Sequence, residues 1–341
     1  MLGGLRFVLA MAVVFSHTGL TPDFHFGSMA VVVFFMIAGY VMTYSFRVNF
    51  SNDMSNILRF YRDRFFRIYP LYALSLVIIA GFCVSVGYGK LYLDPWSMFA
   101  NLTIFPLNIH SNILNPPAWS LGSEVQFYTL LPFLVRFPKF KYLLLPFSYA
   151  IFALATFEKI NPLRWGYKLL PGTLFVFILG SIICDMRTDV TRRSRNIVGL
   201  VVGVVTVHLA ALSFFDKQIS QPYAFESLIG LIVGTGCLLV LGEAKLKDRR
   251  LDNLLGKMSY PIFLSHVAVL YFFDYLHERG YLLLTSRGLV AVELIVSIVA
   301  SVPLMLLDDR FQIHRKRVQV RSVSRREAAT ESPAITAERI A

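Results

Sequence analysis

Residues 29–46 read MAVVVFFMIAGYVMTYSF, and residues 47–70 read RVNFSNDMSNILRFYRDRFFRIYP. The first stretch carries no charge, and as a helix rising ~1.5 Å per residue it covers most of a hydrocarbon core of ~30 Å. The second places five arginines, Arg47, Arg59, Arg62, Arg64 and Arg67, directly behind it. An uncharged run of helical length followed by a block of arginines reads as a membrane span emerging on the cytoplasmic side, where positive charge is retained. The alternation decides the fold class because it repeats in both directions along the chain.

Further apolar runs bounded by charges, Pro or Gly fall near residues 2–20, 70–88, 121–136, 142–157, 170–185, 196–215, 223–242, 258–276 and 284–306. Together they predict an all-α, polytopic transmembrane helix bundle of about ten spans. Of the 341 residues, 56% are hydrophobic and only 16% charged, whereas soluble domains carry about 25% charged residues. Mean hydropathy is +0.60. The net charge of +12 does not point to nucleic acid, because the Lys and Arg residues lie in short clusters between apolar runs. Clusters follow the even-numbered runs: Arg136, Lys139 and Lys141; then Arg187, Arg192, Arg193 and Arg195; then Lys245, Lys247, Arg249, Arg250 and Lys257. Odd-numbered connections are poorer in positive charge, so both termini are expected in the cytoplasm.

The first run carries Arg6 and His17 and has neither a basic leader nor a small-residue cleavage site, so it is expected to remain as a span. Cys83, Cys184 and Cys237 each sit within an apolar run without metal or disulfide spacing, and no metal is expected. Residues 1–310 are expected to form the membrane domain, and residues 311–341, basic and then small and polar, a disordered cytoplasmic tail. The longest external connection, 89–120, contains Trp96, Asn101, Pro106, Asn108, His110, Asn112, Pro116 and Pro117, and is expected to face substrate.

Ionisable groups inside a bilayer are costly and normally face a polar cavity. Arg6 and His17 are eleven helical steps apart, which returns to within about 20° of one direction and separates them by roughly 16 Å along the axis. A helix entering from the cytoplasm therefore places Arg6 at the inner boundary and His17 in the outer half, a separation of the order of a pantetheine arm. Arg6 equally fits a boundary residue snorkelling to the headgroups, and His17 a hydrogen-bonded packing residue. In RFYRDRFFRIYP, residues 59–70, arginines three apart share a helical face and could grip several phosphate oxygens with their guanidinium forks. Composition alone reads the same stretch as positive-inside charge with interfacial aromatics. In PPAWSLGSEVQFY, residues 116–128, Ser120, Glu124 and Tyr128 recur every four residues. Glu124 could orient an imidazole, or favour the helix N-terminus. His266, seven residues after Ser259, is a second intramembrane histidine.

Taken in order, these stretches resemble the acyltransferase-3 family of bacterial membrane O-acyltransferases of polysaccharides. The signposts are Leu5-Arg6 with His17; Phe34-Phe35-Met-Ile-Ala38-Gly39-Tyr40; the Arg64 to Pro70 segment; Trp119-Ser-Leu with Glu124 and Phe127-Tyr128; and Ser259-Tyr260 with His266. Ala38 stands where the family often has Ser, which excludes a serine nucleophile there. The sequence shows no appended SGNH-type esterase domain, and so looks like the single-domain members that resemble exopolysaccharide or nodulation-factor acetyltransferases. The resemblance implies transfer of an acyl group, with acetyl expected, from acyl-coenzyme A to a hydroxyl of a periplasmic or lipid-linked saccharide at the bacterial inner membrane. In this reading Arg64 and Arg67 hold the coenzyme A phosphates and Arg6 its pyrophosphate or pantetheine end. His17 is the general base or, in the variant mechanism, accepts the acyl group itself. Glu124 orients His17 or the acceptor, while Trp119, Ser120, Tyr128 and His266 contact substrate. Polysaccharide assembly proteins are expected partners, along with the bilayer, and nucleic acid is not. A saccharide or lipid transporter, or a silent scaffold of an assembly complex, would also accommodate intramembrane Arg, His and Glu.

Overall fold

In a computed structural model, residues 2–20, 24–50, 53–87, 91–188, 192–214, 223–241, 249–281 and 287–312 are described. Among these residues there is no strand, and every predicted apolar run has a helix beneath it. The helices are α1 (Leu2–Ser16), α2 (Phe26–Asn49), α3 (Met54–Val86), α4 (Pro95–Thr103), α5 (Trp119–Arg136), α6 (Lys139–Thr156), α7 (Leu170–Thr188), α8 (Arg192–Phe214), α9 (Ala224–Leu241) and α10 (Arg249–Glu278). They are followed by α11 (Arg287–Gln312). A 3₁₀ turn, Pro116–Ala118, leads into α5, and a π turn, Pro162–Lys168, into α7.

Among the described residues, six helical segments are long and apolar enough to cross a membrane: α2, α3, Pro162–Arg187, α8, α9 and α11. Helices α1, α5, α6 and α10 lie outside that set. Three of these four carry the expected site residues Arg6, Glu124, Tyr128 and His266. Helix α1 is apolar but only 15 residues long, so length alone leaves it out.

Three sequence expectations change. The first helix ends at Ser16, short of residue 20. His17 N–H instead bonds the Val14 carbonyl at 3.0 Å, and the Thr18 hydroxyl donates to the Phe15 carbonyl at 2.7 Å. These contacts tighten the last turn before Gly19 takes φ 73°. Second, residues 59–70 are not a loop with a short helix but the first half of the 33-residue α3, which runs through Pro70. Proline removes the N–H that would continue the ladder, and two residues earlier the Ile68 carbonyl accepts from Tyr260 Oη at 2.9 Å. Third, residues 91–120 of the long connection carry helical structure of their own. They include α4, whose N-cap Asp94 accepts from Ser97 N at 2.9 Å. Their asparagines tie them to the bundle: Tyr72 Oη donates to the Asn101 carbonyl at 2.7 Å, and Asn115 Nδ2 to the Leu264 carbonyl at 3.0 Å. Of the expected tail, only Phe311 and Gln312 are described, as the end of α11; residues 313–341 lie outside the described residues.

Between helices in lipid, apolar burial supplies little driving force, so close approach and polar contacts hold the bundle together. Helices α2 and α7 meet through glycine: a Cβ on Gly39 would lie 2.0 Å from the Phe177 carbonyl oxygen, and one on Gly180 2.0 Å from that of Met36. Helices α1 and α10 meet the same way, with a Gly3 Cβ falling 2.0 Å from the Asp252 carbonyl oxygen. The Asp252 carboxylate accepts from Gly4 N at 2.8 Å, a favourable charge at the α1 N-terminus. This contact sets α1 in register with α10 and so aligns Arg6 and His17 with Tyr260 and His266. Farther round, Asp185 on α7 takes Arg47 of α2 at 2.9 Å on one oxygen and the fully buried Lys141 of α6 at 2.9 Å on the other.

Candidate active site

Two cavities flank the α1–α10 contact. The inner one, about 170 Å³, lies among α1, α2, α3, α5 and α10. Arg6, Arg64, Arg67, Ser120, Glu124, Tyr128, Ser259 and Tyr260 line it, with Ala38 and the apolar face of α2 opposite. Three guanidiniums thus face one carboxylate, and the cavity is positive. Glu124 is held by its α5 neighbour Tyr128, whose hydroxyl donates to it across one helical turn.

The arginines differ in how fully they are engaged. Arg64 pairs with the adjacent Asp63, donates to Met42 Sδ at 3.0 Å and lies 5.6 Å over the Phe60 ring. Its Nε is buried without a hydrogen-bond partner. Among the described residues Arg67 makes only a long approach of 3.8 Å to Asp308. Arg6 donates from Nε to the Leu2 carbonyl at 3.3 Å. A guanidinium offers five N–H donors, so Arg6 and Arg67 retain most of theirs for an anion.

The outer cavity, about 390 Å³, is lined by His17, Thr18, Pro116, Pro117, Tyr271, Asp274, His277 and Glu293, with Val267, Leu270, Leu289 and Val290. His17 is exposed to it, while His266 is fully buried. The two imidazoles stack with ring centroids 5.5 Å apart and planes 29° from parallel. The His266 ring also lies 6.2 Å, centroid to centroid, from that of Phe263, which lines the inner cavity. His266 Nδ1 is 3.2 Å from the Ile262 carbonyl. A carbonyl accepts only, so Nδ1 carries the proton and Nε2, which has no partner, keeps its lone pair.

The residues singled out in the sequence therefore divide. Arg6, Arg64, Arg67, Ser120, Glu124 and Tyr128 come together in the inner cavity. His17 lies in the outer one, and His266 forms part of the wall between them. Glu124 and His17 line different cavities, Glu124 the one it shares with Arg64 and Arg67 of α3. Trp119 lines neither cavity; it packs edge-on to Phe35 and against Tyr167, with Lys168 Nζ 6.0 Å over its ring. His208, unassigned from sequence, has both ring nitrogens satisfied, by Tyr149 Oη at 2.8 Å and Thr156 Oγ1 at 2.9 Å, and is a packing residue. Tyr260, quoted with Ser259 in the sequence but given no role, lines the inner cavity, and Asp274 and Glu293, not singled out there, line the outer one. Glu293 was findable by the signal that drew attention to Arg6 and His17, an ionisable residue inside an apolar run.

Among the described residues no group of three His, Cys, Asp or Glu side chains is placed to hold a metal ion. Residues 2–307 match the acyltransferase-3 family, described as an acyltransferase domain. The chain is 30% identical over 195 residues to an uncharacterised protein of Aquifex aeolicus (strain VF5), covering 56% of this chain and 84% of that one. It is 25% identical over 317 residues to the acyltransferase MdmB of Streptomyces mycarofaciens, covering 79% of this chain and 78% of that protein. No solved structure matches. The family match spans both cavities and the helices that build them, and the chain accordingly belongs to the acyltransferase-3 family, as a multi-pass membrane enzyme that transfers acyl groups.

Proposed function

We propose that this enzyme takes an acyl group, with acetyl the expected one, from acyl-coenzyme A on the cytoplasmic side and delivers it to a hydroxyl of an extracytoplasmic or lipid-linked saccharide. The setting is the bacterial inner membrane, with ten spans and both termini in the cytoplasm; the alternation of positive connections supports that topology. The observation that carries the reading is the placement of the two cavities toward opposite ends of α1, with Arg6 in its first two turns and His17 directly after its last residue. Arg6 opens the inner, arginine-lined cavity, and eleven residues on, roughly 16 Å along the axis, His17 opens the outer one.

The inner cavity, at about 170 Å³, is smaller than the ~300 Å³ at which drug-sized ligand pockets begin. It suits a narrow thioester arm, with the phosphates held at its arginine-lined mouth. Arg67 and Arg6 supply unspent forks for a pyrophosphate, and Arg64 adds a third positive charge. The thioester then points toward the stacked histidines. An acceptor hydroxyl in the outer cavity gives its proton to His17 as its oxygen attacks the thioester carbonyl. The C–S bond breaks, and the proton passes to the departing thiolate, leaving an ester and free coenzyme A. His266, fully buried behind it, holds the His17 ring in place by stacking. Glu124, tethered by Tyr128, belongs in this reading to the donor side, where it orients the arginines.

The test is transfer of radiolabelled acetyl from acetyl-coenzyme A by protein reconstituted in vesicles. His17→Ala should lower the rate by about 10²–10⁴-fold, the usual contribution of a general base, while leaving expression and acetyl-coenzyme A binding intact. Undiminished transfer by His17→Ala would remove His17 from the chemistry.

A further inference from the structure

The two cavities carry opposite charge. The inner one presents three arginines, whereas the outer one presents two carboxylates, Asp274 of α10 and Glu293 of α11, and no lysine or arginine among its described lining residues. Glu293 is 3% exposed. It has no hydrogen-bond or ion-pair partner among the described residues, and it lines a space of about 390 Å³. A carboxylate buried without a partner is strongly disfavoured, and a neighbouring carboxylate makes it more so. Among the described residues, His17, His277 and Tyr271 are the other ionisable groups on that lining. Among the described residues no third metal-ligating group converges on the two carboxylates, and the space of about 390 Å³ is large enough for an organic donor to partner them.

We infer that the outer cavity selects an acceptor that brings hydrogen-bond donors and no negative charge, a neutral polyhydroxylated or amine-bearing sugar, and that Glu293 and Asp274 are the residues that bind it and reject acidic sugars. This rests on the acyltransferase reading, which makes the outer cavity the acceptor's. Hydroxyl or ammonium groups satisfy the Glu293 oxygens with charge-assisted hydrogen bonds. A uronate would instead add a third carboxylate to the same low-dielectric space. Discrimination comes largely from this repulsion. The division of charge also keeps the substrates apart: the anionic donor is drawn to the arginines and repelled from the acceptor's space.

Equilibrium binding of three matched probes to the intact, detergent-solubilised enzyme tests the inference: methyl glucoside, its 2-amino analogue with the amine protonated, and methyl glucuronide. The amino sugar should bind best, and the glucuronide roughly tenfold or more weaker than the glucoside. Glu293→Gln and Asp274→Asn should each narrow that spread, and the double variant should abolish it. Equal binding of glucoside and glucuronide, an unchanged spread in the double variant, or no binding of any probe would overturn the assignment. Acetyl-coenzyme A binding on the same preparations separates the outcomes, since its loss in wild-type protein would count against the enzyme reading itself.

Discussion

Arg67→Ala offers the cleanest test of the donor side. Arg67 makes one long approach of 3.8 Å to Asp308, and its side chain is 36% exposed. Such a pair contributes about 0–1 kcal/mol, so its loss should scarcely alter folding. What the variant should lose is the grip on a phosphate: a hydrogen bond to a charged group is worth about 1.5–3 kcal/mol, or roughly 10–150-fold in affinity. Steady-state transfer should therefore show the acetyl-coenzyme A KM rising by that factor with kcat little changed, the signature of lost uniform binding. Acetyl-pantetheine, which lacks the phosphates, is the control, and wild type and variant should use it equally well. An equal loss with acetyl-pantetheine would refute phosphate recognition by Arg67, and an unchanged KM for acetyl-coenzyme A would refute any donor contact. Arg64→Ala is a poorer probe, because it also removes the guanidinium beside buried Asp63.

Other outcomes follow from the packing. Lys141→Met removes the buried ammonium 2.9 Å from one Asp185 oxygen while Arg47 stays on the other, and should destabilise the protein by about 1.5–3 kcal/mol in thermal melts. Pairing it with Asp185→Leu should recover part of that loss. Gly39→Ala puts a Cβ 2.0 Å from the Phe177 carbonyl oxygen and should cost at least about 1–3 kcal/mol as α2 and α7 separate. Gly81→Ala, which meets nothing within 4 Å, should be neutral or mildly stabilising in the same melts. Tyr128→Phe frees Glu124 from its tether and should raise the donor KM without touching acceptor binding; an effect confined to the acceptor would place Glu124 with His17 after all.

How much of this was legible in the sequence depended on which forces act over short range. Hydropathy and charge alternation located the core of every described helix except α4, because a lipid-facing helix must be apolar along its own length. The ends were harder. Thr18 and Gly19 terminate α1 early through local hydrogen bonds, and the arginine segment continued as helix through Pro70 because its side chains pack on α5 and α10. Helical periodicity correctly put Ser120, Glu124 and Tyr128 on one face but gave no means to say which cavity that face lines. The pairing of His17 with His266 depends on glycine contacts between α1 and α10, about 250 residues apart in the chain, and no local pattern encodes that register. Glu293 was visible as a lone acid in an apolar run; its neighbour across the cavity, Asp274, emerged only from the fold.

The proposed transfer requires the donor to reach from the arginines to the histidine pair. The direct measurement is a structure of the enzyme with a non-hydrolysable acetyl-coenzyme A analogue. It should show phosphates within hydrogen-bonding distance of Arg6, Arg64 or Arg67 and the carbonyl carbon beside the stacked His17 and His266 rings. Phosphates bound elsewhere, or an acyl carbon held in the inner cavity with Phe263 and His266 closing the way to His17, would contradict it.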